Sequence, residues 1–218
     1  MTVLINSETP ITLVGGGPVE GNLLAQAVAF ADTVVAADSG VNVAEDLGQR
    51  VDYVIGDMDS VDLTTLHGTA ELHPIAEQMS TDLDKCLYST NAPYYLGVGF
   101  LNGRLDHELA ACHSLLRAFD KQVMLLGEED LCFLAPLEMS LELSEGTRVS
   151  LFPMGEVSGI SKGLKWPIHA YQFSPAMMIG TSNETDADRM ELTFNHRRML
   201  VILPVEFLEV VVAQVFNS

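Results

Sequence analysis

The sequence predicts an α/β domain built on a parallel sheet over residues 1–130, followed by a small antiparallel β domain over residues 131–218. Two observations carry this. Up to about residue 130, short and continuously apolar segments alternate with helical patterns, as expected of βαβ units whose strands are buried on both faces. Beyond that point segments alternate or run apolar with turn signals between them, and no convincing helix intervenes before residue 205. Size and composition agree: 218 residues are long for one compact domain and short for two large ones, and a 48% hydrophobic share is ample for a core.

Taken in order, "ITLVGG" (11–16) reads as a buried strand and "VEGNLLAQAVAF" (19–30) as a helix. "TVVAAD" (33–38) is a strand, "VNVAEDLG" (41–48) a short helix and "DYVIGD" (52–57) a strand. After a loop, "STDLDKCLYST" (80–90) is helical with Leu83, Cys86 and Leu87 on one face, and "YYLGVG" (94–99) is a strand. "RLDHELAACHSLLRAF" (104–119) is the best helix in the chain, with Leu105, Leu109, Cys112, Leu116 and Phe119 forming one apolar stripe. "QVMLLG" (122–127) closes the series. In the second part "MSLELS" (139–144), "TRVSLFP" (147–153), "RMELTF" (189–194) and "RMLVILP" (198–204) read as strands, while "EFLEVVVAQVF" (206–216) fits a strand or a helix equally. Ligands of parallel sheets bind beyond the carboxyl ends of the strands. Gly15–Gly17, Asp38, Asp57 and Gly97–Arg104 all fall at such ends, so the topology predicts that they converge on one crevice.

Charge narrows the partners. Thirty acids against 11 bases give a net charge of −19, a sign that repels nucleic acid backbones and anionic membranes, and neither is expected as a partner. An anionic substrate would meet few Lys or Arg, so a divalent cation would have to supply much of the positive charge. Cys86, Cys112 and Cys132 are odd in number with no C-x-x-C pair, which argues against a disulfide framework or a zinc site and for buried thiols in a reducing compartment. The opening "MTVLINSETP" has no basic region, and no apolar run reaches the length of a membrane span, so a cytoplasmic location is expected.

The stretch "VDYVIGDMDSVD" (51–62) crowds Asp52, Asp57, Asp59 and Asp62 around an apolar run. Asp57 and Asp59 at a strand end suit a hard cation such as Mg²⁺, which is held by one or two carboxylates and substrate phosphates. The plainer reading is an Asp-rich turn capping a helix through Ser60. "VGGGP" (14–18) can present backbone amides to phosphate or be a plain βα turn. In "EQMSTDLDK" (77–85), Thr81 or Ser80 is a helix cap, with Asp82 and Asp84 in the first turn where negative charge suits the dipole. Capping explains these residues, and a third metal carboxylate is the sharper alternative. "GFLNGRLDH" (99–107) sets Arg104 and Asp106 at a helix start, where the planar Arg fork suits phosphate oxygens or pairs locally with Asp106. His107 and His113 do not share a helix face. The single Trp, Trp166, lies between apolar residues, more often a core position than a ligand platform, and "GTSNE" (180–184) is polar enough for a loop.

Together these segments resemble the thiamine pyrophosphokinase family. The match is carried in order by "DSGVN" (38–42), "GDMDS" (56–60), "STDLDKCL" (80–87), "NGRLDH" (102–107), "GLKWP" (163–167) and "TSNE" (181–184). The resemblance implies an α/β nucleotide-binding domain followed by a β-sandwich, a homodimer with active sites between subunits, and transfer of the diphosphoryl group of ATP to thiamine. It implies Asp57, Asp59 and Asp82 as Mg²⁺ ligands, and Arg104 and Asp106 at the ATP phosphates, aligning the attacking hydroxyl. It also implies Asp38 and Asn42 in the nucleotide crevice, and Thr81, Trp166, Ser182, Asn183 and Gln78 near thiamine. The chain departs from the pattern at Met79, where an acidic residue is common, at Gln78, often a lysine, at Ser39, in place of glycine, and in "NGR" for "GGR". Two alternatives remain open at this point. One is a thiamine- or nucleotide-binding homologue impaired at Met79. The other is a haloacid-dehalogenase-like phosphatase, whose D-x-D-x-[TV] loop "DMDSV" also satisfies, although two strands precede it here.

Overall fold

The computed structural model describes residues 3–59, 61 and 70–217; Ser60 and Asp62 lie outside the described residues. The chain forms two compact units, Met1–Glu128 and Glu129–Ser218.

The first unit runs β1 (Ile5–Asn6), β2 (Ile11–Val14), α1 (Gly21–Phe30), β3 (Thr33–Ala37), α2 (Gly40–Asp46), β4 (Tyr53–Gly56), β5 (Glu71–Pro74), α3 (Asp82–Ser89), β6 (Thr90–Asn91), β7 (Tyr95–Val98), α4 (Leu105–Arg117) and β8 (Val123–Leu126). β1 and β6 form a short parallel pair. The remaining strands lie in the order β8-β7-β2-β3-β4-β5, every pairing parallel. β2, β7 and β8 are buried along their whole length, which is why their sequences are continuously apolar. β5 is mostly exposed and lacks an apolar run, so nothing in its sequence marks it as a strand; the edge of β4 supplies its pairing.

From β2 the chain winds outward through β3, β4 and β5, then returns to β7 and β8 on the other side. This reversal between β2 and β7 opens a crevice beyond their carboxyl ends. Two turns meet there. Gly15 N–H donates to Val98 O (2.8 Å) and Gly17 N–H to Gly99 O (2.9 Å). A β-carbon at Gly15 or Gly17 would stand 2.6 or 2.7 Å from Gly99 O, and Gly99 itself has φ +75°. Only glycines allow the two backbones to approach this closely.

The predicted stripe of α4 faces outward. Leu105, Leu109 and Phe119 are exposed, Cys112 and Leu116 half-buried, and the packed face is made of Ala111, Ser114 and Leu115. The packed face thus combines two small side chains with Leu115, and Leu105 and Leu109 of the predicted stripe lie on the open side. In α3, by contrast, Leu83, Cys86 and Leu87 are buried as their spacing predicts.

The second unit contains β9 (Asp130–Leu134), β10 (Glu138–Glu142), β11 (Arg148–Pro153), β12 (Val157–Lys162), β13 (His169–Phe173), β14 (Gly180–Glu184), β15 (Arg189–Phe194) and β16 (Met199–Pro204). These form two sheets, β14-β11-β16-β9 and β10-β15-β12-β13, with antiparallel pairings. Met190, Leu192 and Phe194 alternate with less buried residues along β15, and Val149 and Leu151 mark the inner face of β11, the pattern of a β-sandwich. "GTSNE" is strand β14 rather than a loop. The ambiguous stretch after β16 is helical: a 3₁₀ turn (Val205–Phe207), α5 (Leu208–Val211) and a π turn (Val212–Phe216), anchored by Phe216 edge-on to Phe133 with centroids 5.8 Å apart. None of the three cysteines is in a disulfide, and among the described residues no helix is long and apolar enough to cross a membrane.

Gly99→Ala places a side chain 2.5 Å from Gly15 O at a positive φ. It is expected to lower the unfolding free energy by about 2–4 kcal/mol, read as a fall in the urea midpoint.

Candidate active site

The crevice beyond β2 and β7 holds a cavity of about 650 Å³, walled by Gly15–Gly17, Ser39, Thr81, Asp82, Gly99 and Arg104 among others. One wall is backbone, because the glycine turn has no side chains to cover it; the Gly15 and Gly17 amides are bonded to Val98 O and Gly99 O, which leaves Gly16 as the amide of this turn to meet an anion. The run of three glycines is the signal for this wall in the sequence, where it competes with an ordinary βα turn. Of the residues singled out from the sequence, Thr81, Asp82 and Arg104 line the cavity. Asp38, Asn42, Asp57, Asp59, Gln78 and Asp106 do not.

The carboxylates that follow β3 and β4 are joined through backbone. Asp38 is 5% exposed at φ +46°, and its Oδ1 accepts from the N–H of Met58, itself at φ +66° (3.0 Å). Burial first, then the charges of Asp82 and Asp57, raise the Asp38 carboxyl above the usual range, against the pull of the Ser39 and Met58 amides. Asp57 is held below it, first by Gln78, whose Nε2 donates to Oδ2 at 2.7 Å, then by the Asp59 amide at 3.2 Å from Oδ1, with Lys85 contributing charge. Asp38, Asp57 and Asp82 thus form one electrostatic cluster, which Asp59 joins through its backbone.

Helix α3 presents Asp82 by a full capping box. The Thr81 hydroxyl accepts from Asp84 N–H (3.0 Å), and Asp84 Oδ2 accepts from Thr81 N–H (3.1 Å). The same Asp84 Oδ2 takes Arg117 Nη1 of α4 (3.0 Å), and the Thr81 and Ser114 hydroxyls meet at 3.1 Å. Thr81, assigned by resemblance to thiamine, is therefore engaged in holding α3 to α4. Asp82 Oδ1 accepts from Lys85 Nζ at 3.0 Å. No motif in the sequence singles out Lys85; the D-x-x-K spacing of "DLDK" is the signal for this pair. Met79 is 92% exposed, while Glu77 accepts from the Met79 amide (2.7 Å) and from the Ser80 hydroxyl.

At the start of α4 the Arg104 fork grips Asp106, Nε to Oδ1 at 3.1 Å and Nη2 to Oδ2 at 2.6 Å. This pair is exposed, which leaves the Arg104 face open to the cavity. Asn42 lies half-buried on α2, its N–H bonded to Ser39 O (3.0 Å).

The donors here are carboxylate oxygens, the ligand type of Mg²⁺. Among the described residues no three Asp, Glu, His or Cys side chains are grouped to hold an ion by themselves. The set fits a cation that takes its remaining ligands from water or phosphate.

In the second unit Trp166 is not a core residue: it is 56% exposed, with Lys165 Nζ 5.0 Å from the ring centroid. Asn183, buried, clamps the Trp166 backbone, accepting from its N–H (3.2 Å) and donating to its carbonyl (2.8 Å). Ser182, exposed at φ +59°, donates its N–H to the Ser150 hydroxyl (3.0 Å).

Because its pKa is raised on folding, Asp38 favours the folded state at low pH, and this contribution is lost as pH rises through the raised value. Asp38→Asn is therefore expected to gain stability over the parent near pH 7, with the gain shrinking toward pH 4, followed as melting temperature against pH. Asp84→Ala, which removes the reciprocal cap and the Arg117 partner, is expected to cost about 1–2 kcal/mol in denaturant unfolding.

Comparison with known proteins supplies the family. The family model described as "Thiamin pyrophosphokinase, catalytic domain" matches residues 24–126, and "Thiamin pyrophosphokinase, vitamin B1 binding domain" matches residues 136–200. "Thiamine pyrophosphokinase 1" of Oryza sativa subsp. japonica is 30% identical over 195 residues, 73% of this chain and 74% of that one. "Thiamine pyrophosphokinase 1" of Arabidopsis thaliana is 31% identical over 155 residues, 62% of this chain and 58% of that one. The crystal structure of thiamin pyrophosphokinase from Geobacillus thermodenitrificans superposes with a TM-score of 0.72 at 22% identity, covering 90% of this chain and 97% of that one, a likeness of fold. With both family regions matched in order on an α/β unit followed by a β-sandwich, the chain belongs to the thiamin pyrophosphokinase family.

Proposed function

We infer that this chain is a thiamine diphosphokinase, transferring the diphosphoryl group of ATP to thiamine to give thiamine diphosphate and AMP. The observation that carries this reading is the cavity at the β2/β7 reversal, where a wall of bare glycine backbone shares the lining with Asp82 and Arg104. An anionic triphosphate needs amides and a guanidinium, and a cation bound to it needs carboxylates.

The hydroxyethyl oxygen of thiamine attacks the β-phosphorus of ATP. The bond from that phosphorus to the oxygen bridging the α- and β-phosphates breaks, that oxygen leaves with AMP, and the hydroxyl proton passes to solvent. Transfer of this kind depends mainly on positioning and charge neutralisation. The bare Gly15–Gly17 backbone leaves room for the nucleotide phosphates, which take the Gly16 amide, since those of Gly15 and Gly17 are bonded to the facing turn, and Asp38 and Asn42 border the nucleotide crevice. Arg104, oriented by Asp106, contacts phosphate oxygens and aligns the attacking hydroxyl. Asp57, Asp59 and Asp82 hold Mg²⁺, which when bound neutralises phosphate charge. Gln78 orients Asp57 and borders the thiamine side. The exposed Trp166 ring stacks on the cationic thiazolium, with Ser182 beside it and Asn183 fixing the tryptophan backbone. Thr81 contributes through the helix it caps.

The protein acts as a cytoplasmic homodimer with sites between subunits. Support comes from large apolar side chains left open in both units: Leu105 and Leu109 on α4 with Phe119 just after it, and Met177, Met178 and Ile179 before β14. The acidic composition supports the absence of nucleic acid or membrane partners. Met79 projects into solvent, so the exchange of an acidic residue for methionine there leaves no buried gap.

Purified protein with thiamine, ATP and Mg²⁺ is expected to form AMP and thiamine diphosphate in equal amounts by chromatography. Asp57→Asn and Arg104→Gln are each expected to lower the rate more than about 100-fold. Thiamine bound by calorimetry with no AMP formed would leave a binding protein in place of an enzyme. Trp166→Ala is expected to raise the KM for thiamine, and sedimentation of the parent at twice the monomer mass is the check on the dimer.

A further inference from the structure

Lys85 is a buried cation without a part in the reaction above. It lies on the first turns of α3 with its side chain 2% exposed, and it does not line the cavity. A buried ammonium is costly unless paired. Its Nζ donates to Asp82 Oδ1 at 3.0 Å. Burial opposes its charge, but the bond to Asp82 and the charges of Asp82, Asp57 and Glu77 outweigh this and hold the group protonated. Its charge in turn helps to hold the Asp57 carboxyl down. Anchoring of α3 is supplied elsewhere, by the Thr81–Asp84 capping box, the Arg117–Asp84 pair and the Thr81–Ser114 contact. The lysine therefore faces the acidic cluster itself, not the helix packing.

We propose that Lys85 is a positioning residue acting through Asp82: its ammonium is the resident counter-charge of the Asp38–Asp57–Asp82 cluster, keeping Asp82 aligned and keeping the cluster from binding a divalent cation tightly before nucleotide arrives. The proposal rests on the reading of Asp57 and Asp82 as cation ligands. A fixed positive charge beside Asp82 repels a dication and compensates the mutual repulsion of the carboxylates. The triphosphate then brings the negative charge that makes cation binding favourable, so cation and nucleotide are retained together. Without Lys85 the bare carboxylates attract a cation in its place.

The test is Mn²⁺ binding, with free Mn²⁺ read by electron paramagnetic resonance, to the full chain with and without a non-hydrolysable ATP analogue. Without nucleotide, Lys85→Met is expected to bind Mn²⁺ about tenfold more tightly than the parent, and Lys85→Arg, which keeps the charge, within about twofold of it. Lys85→Gln, which keeps a donor to Asp82 but not the charge, is expected to match Lys85→Met and serves if the methionine variant does not fold. Mn²⁺ affinity unchanged or weakened in the neutral variants would overturn the role of Lys85. Asp57→Asn separates this from the reading beneath it. If that variant weakens Mn²⁺ binding with nucleotide present while the neutral Lys85 variants match the parent, only the lysine's role falls. If Asp57→Asn leaves binding unchanged, the cation-ligand reading and this inference fall together.

Discussion

The site depends on one constraint, the approach of two backbone turns where the strand order reverses. Gly15 and Gly17 pack against Gly99 so closely that a single β-carbon on any of them would collide with a carbonyl. That contact keeps side chains out of the mouth between β2 and β7 and leaves bare backbone as its wall. It also sets the path of the chain after β7, and so the point at which Arg104 enters α4 at the cavity rim. A parallel sheet offers a crevice at its reversal in any case. The glycines determine that this crevice is walled by bare backbone rather than by side chains.

The carboxylates beside that wall are tolerated through specific compensation. Asp38 is buried in a left-handed backbone conformation and receives the amide of Met58, so two strained residues hold the turn after β4 against the end of β3. Asp57 is stabilised by Gln78 and by its own turn, and Asp82 by Lys85. Like charges stand together because each has a different partner. In a chain with 30 acids and 11 bases, placing a lysine inside this cluster is a marked use of a scarce charge.

Several residues that motif matching assigns to ligands are occupied with the protein's own backbone. Thr81 caps α3 and meets Ser114 across the α3–α4 contact, and Asn183 fixes both backbone groups of Trp166. Both residues are placed to orient a neighbour that faces outward, Asp82 in one case and the Trp166 ring in the other. A change at either position would act on function by moving that neighbour.

The sequence by itself determined the class of each strongly periodic element and the place of the ligand-bearing turns. Short continuous apolar runs bounded by turn signals fit strands covered on both faces, and "GDMDS", "STDLDK" and "NGRLDH" follow such strands or open helices by local rules of turns and caps. Tertiary structure decided which face of an element turns inward. On α3 the apolar stripe is the packed face, whereas on α4 Ala111, Ser114 and Leu115 pack and Leu105 and Leu109 face out, so the inward face is not the one with the longest apolar stripe. Tertiary structure likewise made strands of the polar segments β5 and β14, whose hydrogen bonds come from a neighbouring edge, and left Trp166 exposed on a backbone held by a residue 17 positions away. It alone brought Lys85 to Asp57. Spacing along a chain records which residues share a helix turn or a strand face, but electrostatic partners from separate strands and helices meet only when the sheet order brings their ends together.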